Sequence, residues 1–312
     1  MRKIFLLIIA ATLTISSVAA HSPKKLRKLK QEINFIVASD LDKHGCYDQK
    51  VIAELMGETA KQIKPCAIIV SGDTHHGNGV KSATDNDWKE RFEDIYTHPS
   101  LQIEWYAALG NHEYRGSTQA VIDYSRLNPR WNMPSRYYTK VFQKGSLSIR
   151  LIVLDTTPII EKYRRNEKYA DATLEDKEVQ IEWLDSVLSK ATEDWVIVVG
   201  HHPIYADTKK DKTERSDMKS AINETLRRYN NVSFYICGHI HNFQHLRSKG
   251  GDIDYIVNSS ASESRSVKIT KKTKYCSPET GFSIITAGKK SLALHMVDKN
   301  GNVLHTVRRD KR

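Results

Sequence analysis

Ala67-Ile68-Ile69-Val70-Ser71-Gly72-Asp73-Thr74-His75-His76 carries an apolar β-type run into a glycine, and then into a carboxylate and two histidines. The same pattern recurs four more times. Phe35-Ile36-Val37-Ala38 leads to Ser39-Asp40-Leu41-Asp42, and Trp105-Tyr106-Ala107-Ala108-Leu109 leads to Gly110-Asn111-His112-Glu113. Trp195-Val196-Ile197-Val198-Val199 ends at Gly200-His201-His202-Pro203, and Val232-Ser233-Phe234-Tyr235-Ile236-Cys237 at Gly238-His239-Ile240-His241-Asn242. In open α/β sheets, ligands gather beyond the carboxyl ends of the strands, so five such ends place their polar residues on one rim. Each segment alone reads as an ordinary turn; the five together read as a site. Asp, Asn and His offer hard oxygen and borderline nitrogen donors, a set suited to Zn, Mn or Fe and not to a thiolate site.

The rest of the chain supports a layered domain. Helical periodicity is expected over residues 49–63, 88–96, 118–125, 174–191 and 214–229, alternating with strands through the first two thirds. The last third turns to β-type runs at 253–257, 282–286, 292–297 and 303–307. That order suits an α/β domain ending in antiparallel strands. No repeat, low-complexity block or linker divides it.

Met1-Arg2-Lys3, an apolar core over residues 4–15 and the small residues Val18-Ala19-Ala20 before His21 form the three regions of a signal peptide. Residues 1–20 are therefore expected to be removed, and the mature chain to be secreted or periplasmic. A membrane anchor is the rival reading, but the run is short and nothing behind it suggests stop-transfer, and no later run approaches the ~20 residues a spanning helix needs. The formal charge of +11 suits phosphate-bearing substrates or anionic polymers. Its carriers, Lys162-Tyr163-Arg164-Arg165, Lys209-Lys210-Asp211-Lys212 and Lys271-Lys272-Thr273-Lys274, read as solvated loops, and no nucleic-acid-binding motif accompanies them. Four cysteines are too few for a disulfide scaffold. Cys66 and Cys237 read as buried small hydrophobes, while Cys46 and Cys276 lie in turn-like sequence where an oxidising compartment would allow them to pair.

With these segments the chain resembles the calcineurin-like metallophosphoesterase superfamily, and within it the small purple, or tartrate-resistant, acid phosphatases. Further stretches carry the likeness: Arg91-Phe92-Glu93-Asp94-Ile95-Tyr96, Asp123-Tyr124-Ser125, Arg130-Trp131-Asn132-Met133-Pro134-Ser135 with Tyr137-Tyr138, Leu154-Asp155-Thr156, and Gln180-Ile181-Glu182-Trp183-Leu184. The resemblance implies an α/β fold built as a four-layer α-β-β-α sandwich of two packed mixed β-sheets, with residues 21–312 as a single catalytic domain. It implies two metal ions, drawn from Fe, Zn and Mn, and hydrolysis of phosphomonoesters by attack of a metal-activated hydroxide. By the family pattern Asp73 bridges the ions, Asp40 and His241 join it at the first, and Asn111, His201 and His239 join it at the second.

The first metal site departs from that pattern. Purple enzymes carry a tyrosine three residues after the bridging aspartate, where this chain has His76; other members place a histidine two residues after the first aspartate, where this chain has Asp42. His76 is assigned as the missing ligand, with His75 and Asp42 as alternatives. Imidazole in place of phenolate weakens the preference for Fe(III). His239 and His241 are two apart and would face opposite sides of a strand, so both are expected on a turn beyond it. His112 is expected to contact the substrate phosphate and to help protonate the leaving oxygen, since imidazole titrates near neutrality; Glu113 is placed to orient it. A second substrate histidine, expected nine residues beyond His201, is missing from Asp207-Thr208-Lys209-Lys210-Asp211.

The expected partner is a phosphorylated small molecule or protein, with no specific nucleic acid and no membrane anchor once the leader is cleaved. Two other readings remain open. One is a phosphodiesterase or nucleotide hydrolase of the same superfamily. The other is a non-catalytic phosphate- or polyanion-binding protein, which the charge and the missing histidine suggest and the near-complete ligand set opposes.

Overall fold

The computed structural model describes residues 26–210, 212–248, 251–270 and 273–311, so the leader expected over 1–20 lies outside the described residues. The chain lays down one sheet, crosses to a second, and returns. β1 (Ile33–Ala38), β2 (Ala67–Val70), β3 (Trp105–Ala107) and β4 (Trp131–Asn132) run parallel. β5 (Tyr138–Lys144), β6 (Leu147–Val153), β7 (Trp195–Val199), β8 (Val232–Cys237), β9 (Phe243–Arg247), β10 (Asp254–Val257) and β11 (Thr273–Ser277) build the second sheet. β12 (Gly281–Ala287), β13 (Ser291–Asp298) and β14 (Val303–Asp310) then complete the first.

The resulting orders are β14-β13-β12-β1-β2-β3-β4 and β11-β9-β10-β8-β7-β6-β5. Both sheets are mixed: β1 pairs parallel with β2 but antiparallel with β12, and β10 pairs parallel with β8 but antiparallel with β9. β1, β2, β7 and β8 are buried along their whole lengths, as expected of central strands covered on both faces. That burial explains why they read as continuous apolar runs and not as alternating ones. One hydrophobic cluster reaches from Leu26 to Val307 and includes strands of both sheets.

The expected helices form close to their expected bounds, at Gln49–Ile63, Thr118–Asp123, Lys177–Lys190 and Lys212–Arg228. Ile52, Met56, Ala60 and Ile63 line the buried face of the first, at the spacing a helix requires. Asp176 caps Lys177–Lys190 by accepting from the Glu178 amide. The stretch expected as one helix over 88–96 is instead a helical turn, Asn86–Trp88, followed by a wider π-type turn, Lys89–Glu93. No helix among the described residues is long and apolar enough to cross a membrane.

Two cysteine expectations change. Cys66 precedes β2 and is exposed, not buried, whereas Cys237 lies buried in β8. Cys46 and Cys276 are both free.

His295 of β13 is buried between two threonines, its Nε2 3.2 Å from Thr286 Oγ1 and its Nδ1 2.9 Å from Thr306 Oγ1. Burial pulls its pKa from 6.5 down to about 4. The unfolded chain therefore binds a proton at His295 before the folded one does. The stabilisation is fully present above pH 6.5 and is lost as pH falls towards 4. Thermal unfolding followed from pH 7 to pH 4 should show a shallower acid decline for His295→Gln than for the parent; parallel declines would assign the acid sensitivity to other groups.

Candidate metal centre

The two sheets meet at the carboxyl ends of their central strands. β1, β2 and β3 deliver Asp40, Asp73 and Asn111 from one sheet; β7 and β8 deliver His201, His239 and His241 from the other. Strand pairing continues into these ends: the Asp40 amide donates to Gly72 O at 3.0 Å, the Leu41 amide to Asp73 O at 2.9 Å, and the Gly238 amide to His201 O at 3.0 Å. Asp40, Asp73, His239 and His241 all take left-handed backbone conformations, with φ of 49°, 52°, 68° and 59°. Non-glycine residues rarely adopt that region, and such strain concentrates where side chains must be aimed. His239 and His241 thus lie on the turn beyond β8, as their spacing requires. Two glycines make room for this convergence: a Cβ on Gly110 would run into Asp73 Oδ1, and one on Gly238 into Ser39 Oγ.

The side chains face one another. Asp73 Oδ1 accepts from the His112 amide at 2.9 Å, while Oδ2 lies 3.2 Å from His201 Nε2 and 3.9 Å from both His76 Nε2 and His112 Nε2. Asp40 Oδ1 lies 3.0 Å from His241 Nε2 and 3.9 Å from His76 Nε2. His201 Nδ1 donates to Ser71 O at 2.9 Å and His241 Nδ1 to Glu263 O at 3.1 Å. Backbone carbonyls therefore set both tautomers and leave each Nε2 as the inward-facing donor atom. His239 is turned the other way: Nδ1 is 3.2 Å from His201 Nε2, and Nε2 meets Glu214 Oε2 at 3.1 Å. Ligand atoms of Asp40, His76 and His241 lie within 4.8 Å of one another, as do those of Asp40, Asp73 and His201.

The three candidates for the open position separate. Asp42 is fully engaged, accepting from Arg91 Nη1 at 3.0 Å and from the His44 and His76 amides at 2.7 and 3.1 Å. His75 turns away and packs edge-on against Trp88, 4.4 Å between centroids. His76 alone faces both aspartates. Glu113 does not orient His112; its carboxylate instead accepts from the Gly110, His75 and Asp73 amides at 2.7, 3.0 and 3.1 Å. His112 is set by Gly77 O, 3.0 Å from its Nδ1. His202 bonds Thr156 Oγ1 and Tyr163 Oη behind the centre.

A pair of cations suits this donor set. Asn111 Oδ1, Asp40 Oδ1 and both ring nitrogens of His76 are buried without a hydrogen-bond partner, and such orphaned atoms are costly unless something binds them. Burial disfavours charge on Asp73, yet His201 and His112 outweigh it and hold the carboxyl well below its usual range; His241 does the same for Asp40. Burial pulls His201 down, but Asp73 overcomes it and lifts the imidazole to about 9. Two ionised carboxylates at the bottom of a protein cleft require compensating positive charge close by.

The centre opens into a cleft of about 250 Å³ whose rim was not legible in the sequence. Arg115, Lys162, Lys210 and Arg265 line it. The basic runs at 162–165 and 209–212, expected as solvated loops, each send one lysine inward: Lys162 Nζ bonds Glu214 Oε1 at 2.7 Å, and Lys210 Nζ bonds His239 O at 2.6 Å. Burial, and then Arg265, bring Lys210 down to about 8. Glu214 carried no signal either, because it sits in the first turn of a helix that reads as amphipathic.

A family profile described as calcineurin-like phosphoesterase matches residues 33–243. Purple acid phosphatase 7 of Arabidopsis thaliana is 30% identical, covering 94% of this chain and 90% of the relative. Tartrate-resistant acid phosphatase type 5 of Oryctolagus cuniculus is 29% identical over 83% of this chain and 84% of its own. Among solved structures, GAP50, described as the anchor in the inner membrane complex of Plasmodium, superposes with a TM-score of 0.76 at 22% identity, covering 91% of this chain and 90% of that one. The purple acid phosphatase PPD1 of yellow lupin (Lupinus luteus) gives 0.65 at 13% identity, over 89% of this chain and 53% of its own.

Removing the carboxylate that steadies His239 should loosen a bound ion without touching a candidate ligand. Glu214→Ala is expected to weaken the affinity for one equivalent of metal roughly 10–100-fold, read by metal titration of the folded variant. Unchanged affinity for both equivalents would reduce Glu214 to a partner of Lys162.

Proposed function

The chain belongs to the calcineurin-like phosphoesterase family and is a hydrolase of phosphoester bonds, and on that premise we propose that it is a secreted, binuclear metal-dependent phosphomonoesterase. One observation carries this reading: Asp40, Asp73, His76, His201, His239 and His241, scattered over two sheets, bring candidate ligand atoms into overlapping buried groups beside a cationic cleft that Asn111 also lines. In this reading Asp73 serves both ions. Asp40, His76 and His241 join it at the first, and Asn111, His201 and His239 at the second. The ions are two of Fe, Zn or Mn, and when bound they would neutralise the phosphate and acidify a water for attack at phosphorus.

The protein's own groups do the remaining work. Gly77 O accepts a hydrogen bond from His112 Nδ1, leaving Nε2 towards Asp73 and the cleft. Nε2 is then the atom that contacts the substrate phosphate and, when protonated, hands its proton to the departing alcohol oxygen. The Asn111 amide would contribute an uncharged oxygen, which would leave bound ions more electrophilic than a carboxylate there. The names of the Arabidopsis and rabbit relatives, both acid phosphatases, support monoester hydrolysis. The fold alone would not, since the Plasmodium anchor protein shares it.

Secretion rests on the leader at 1–20, and N-terminal sequencing of protein recovered outside the cell should begin at His21; retention of Met1 would count against it. Asp73→Ala should lose metal and activity together. His112→Ala should keep its metal while kcat on an alkyl phosphate falls roughly 10²–10⁴-fold, with a smaller loss on an activated aryl phosphate. Loss of metal from His112→Ala would make it a ligand, and a higher rate on diesters than on matched monoesters would replace the monoesterase reading with a diesterase.

A further inference from the structure

Two cations share one acceptor at the edge of the centre. Lys210 Nζ bonds His239 O at 2.6 Å, and Arg265 Nη1 approaches the same carbonyl at 3.4 Å. Arg265 is held there by its backbone, whose amide donates to His241 O at 2.7 Å, while its side chain is exposed. Charges of like sign this close repel, and the nearby carboxylates outside the centre are otherwise engaged. Glu214 bonds Lys162 and His239, and Glu263 pairs with Lys43 at 2.7 Å. Both cations line the cleft, beside His239 and His241. Among the described residues no carboxylate hydrogen-bonds either cation, so the pair is placed beside the cluster with donors to offer a second anion. A planar guanidinium beside an ammonium is a receptor for carboxylate or phosphate oxygens.

We propose that Lys210 and Arg265 form a subsite for a second anionic group. The favoured substrates are then small phosphomonoesters that carry a further carboxylate or phosphate a few bonds from the scissile ester. This rests on the phosphatase reading for its orientation, because the first phosphate must lie at the Asp40–Asp73 cluster for the second group to reach the pair.

The test compares ligands that differ in one substituent. Non-hydrolysable phosphonate analogues of glycerol 3-phosphate, 3-phosphoglycerate and glycerol 1,3-bisphosphate present a hydroxymethyl, a carboxylate and a second phosphate at the same place. Calorimetric titration of the metal-loaded protein should show the two dianionic-group ligands binding roughly tenfold to a hundredfold tighter than the glycerol 3-phosphate analogue. The advantage should shrink with added salt. Whichever of the carboxylate and phosphate ligands gains more identifies the preferred group. Arg265→Met and Lys210→Met should each bring the affinity ratio towards one, and Arg265→Lys should restore part of it; Arg265 is exposed, so its replacement does not disturb the core. Equal affinities in the parent protein, or a ratio unchanged in Arg265→Met, would overturn the subsite. Turnover of the parent phosphates answers the other question: a preserved affinity ratio with no hydrolysis of any of them would overturn the phosphatase reading and leave the subsite standing.

Discussion

Asp73 is the residue on which the centre depends. Its carboxylate is buried where the two sheets meet, bonded to the His112 amide from its own sheet and facing His201 from the other. A charge in that position is tolerable only with positive charge close by, which suits bound cations, and the surrounding protein fixes where the carboxylate points. Glu113 spends its carboxylate on the Asp73, His75 and Gly110 amides, fixing the backbone from which Asp73 projects. Gly110 leaves the space beside it. Burial and the neighbouring Asp73 push Glu113 up to about 7, a measure of how much negative charge has been gathered into one dry volume.

Three of the histidines around that charge are fixed by backbone. His201, His241 and His112 are each bonded at Nδ1 to a backbone carbonyl, of Ser71, Glu263 and Gly77. Backbone acceptors hold a ring more rigidly than side chains do, because they cannot change rotamer. His76 differs, its ring nitrogens having no hydrogen-bond partner, and so does His239, with side chains at its outer nitrogen, Glu214 and Lys210. The same two residues belong to the rim, so the rim chemistry and the setting of His239 are coupled.

Much of this was legible in the order of residues. A polar turn after a buried apolar run is a local signal, and it marked β1, β2, β3, β7 and β8 and the residues beyond each. The helix Gln49–Ile63 was equally clear, because its buried side chains recur at helical spacing. The expected helix over 88–96 came out as an α-helical turn followed by a wider π-type turn, and Trp88, Phe92 and Tyr96 pack into an aromatic cluster with Trp105, Tyr124 and Trp131 from distant segments. Cys66 was misplaced for a related reason: adjacency to a buried strand does not extend burial to the residue before it.

The sequence by itself determined which residue types stand at which strand ends, because side-chain chemistry and strand propensity are local properties. It favoured His76 as the missing ligand but kept His75 and Asp42 as alternatives. Only the tertiary structure sets them apart in space, through contacts over 34 to 49 residues that commit Asp42 to Arg91 and the His76 amide, and through Trp88, against which His75 packs. The cationic rim was hidden for the same physical reason. Lys162, Lys210 and Arg265 each sit among ordinary charged neighbours, and only the folding of two sheets against each other brings them to one opening.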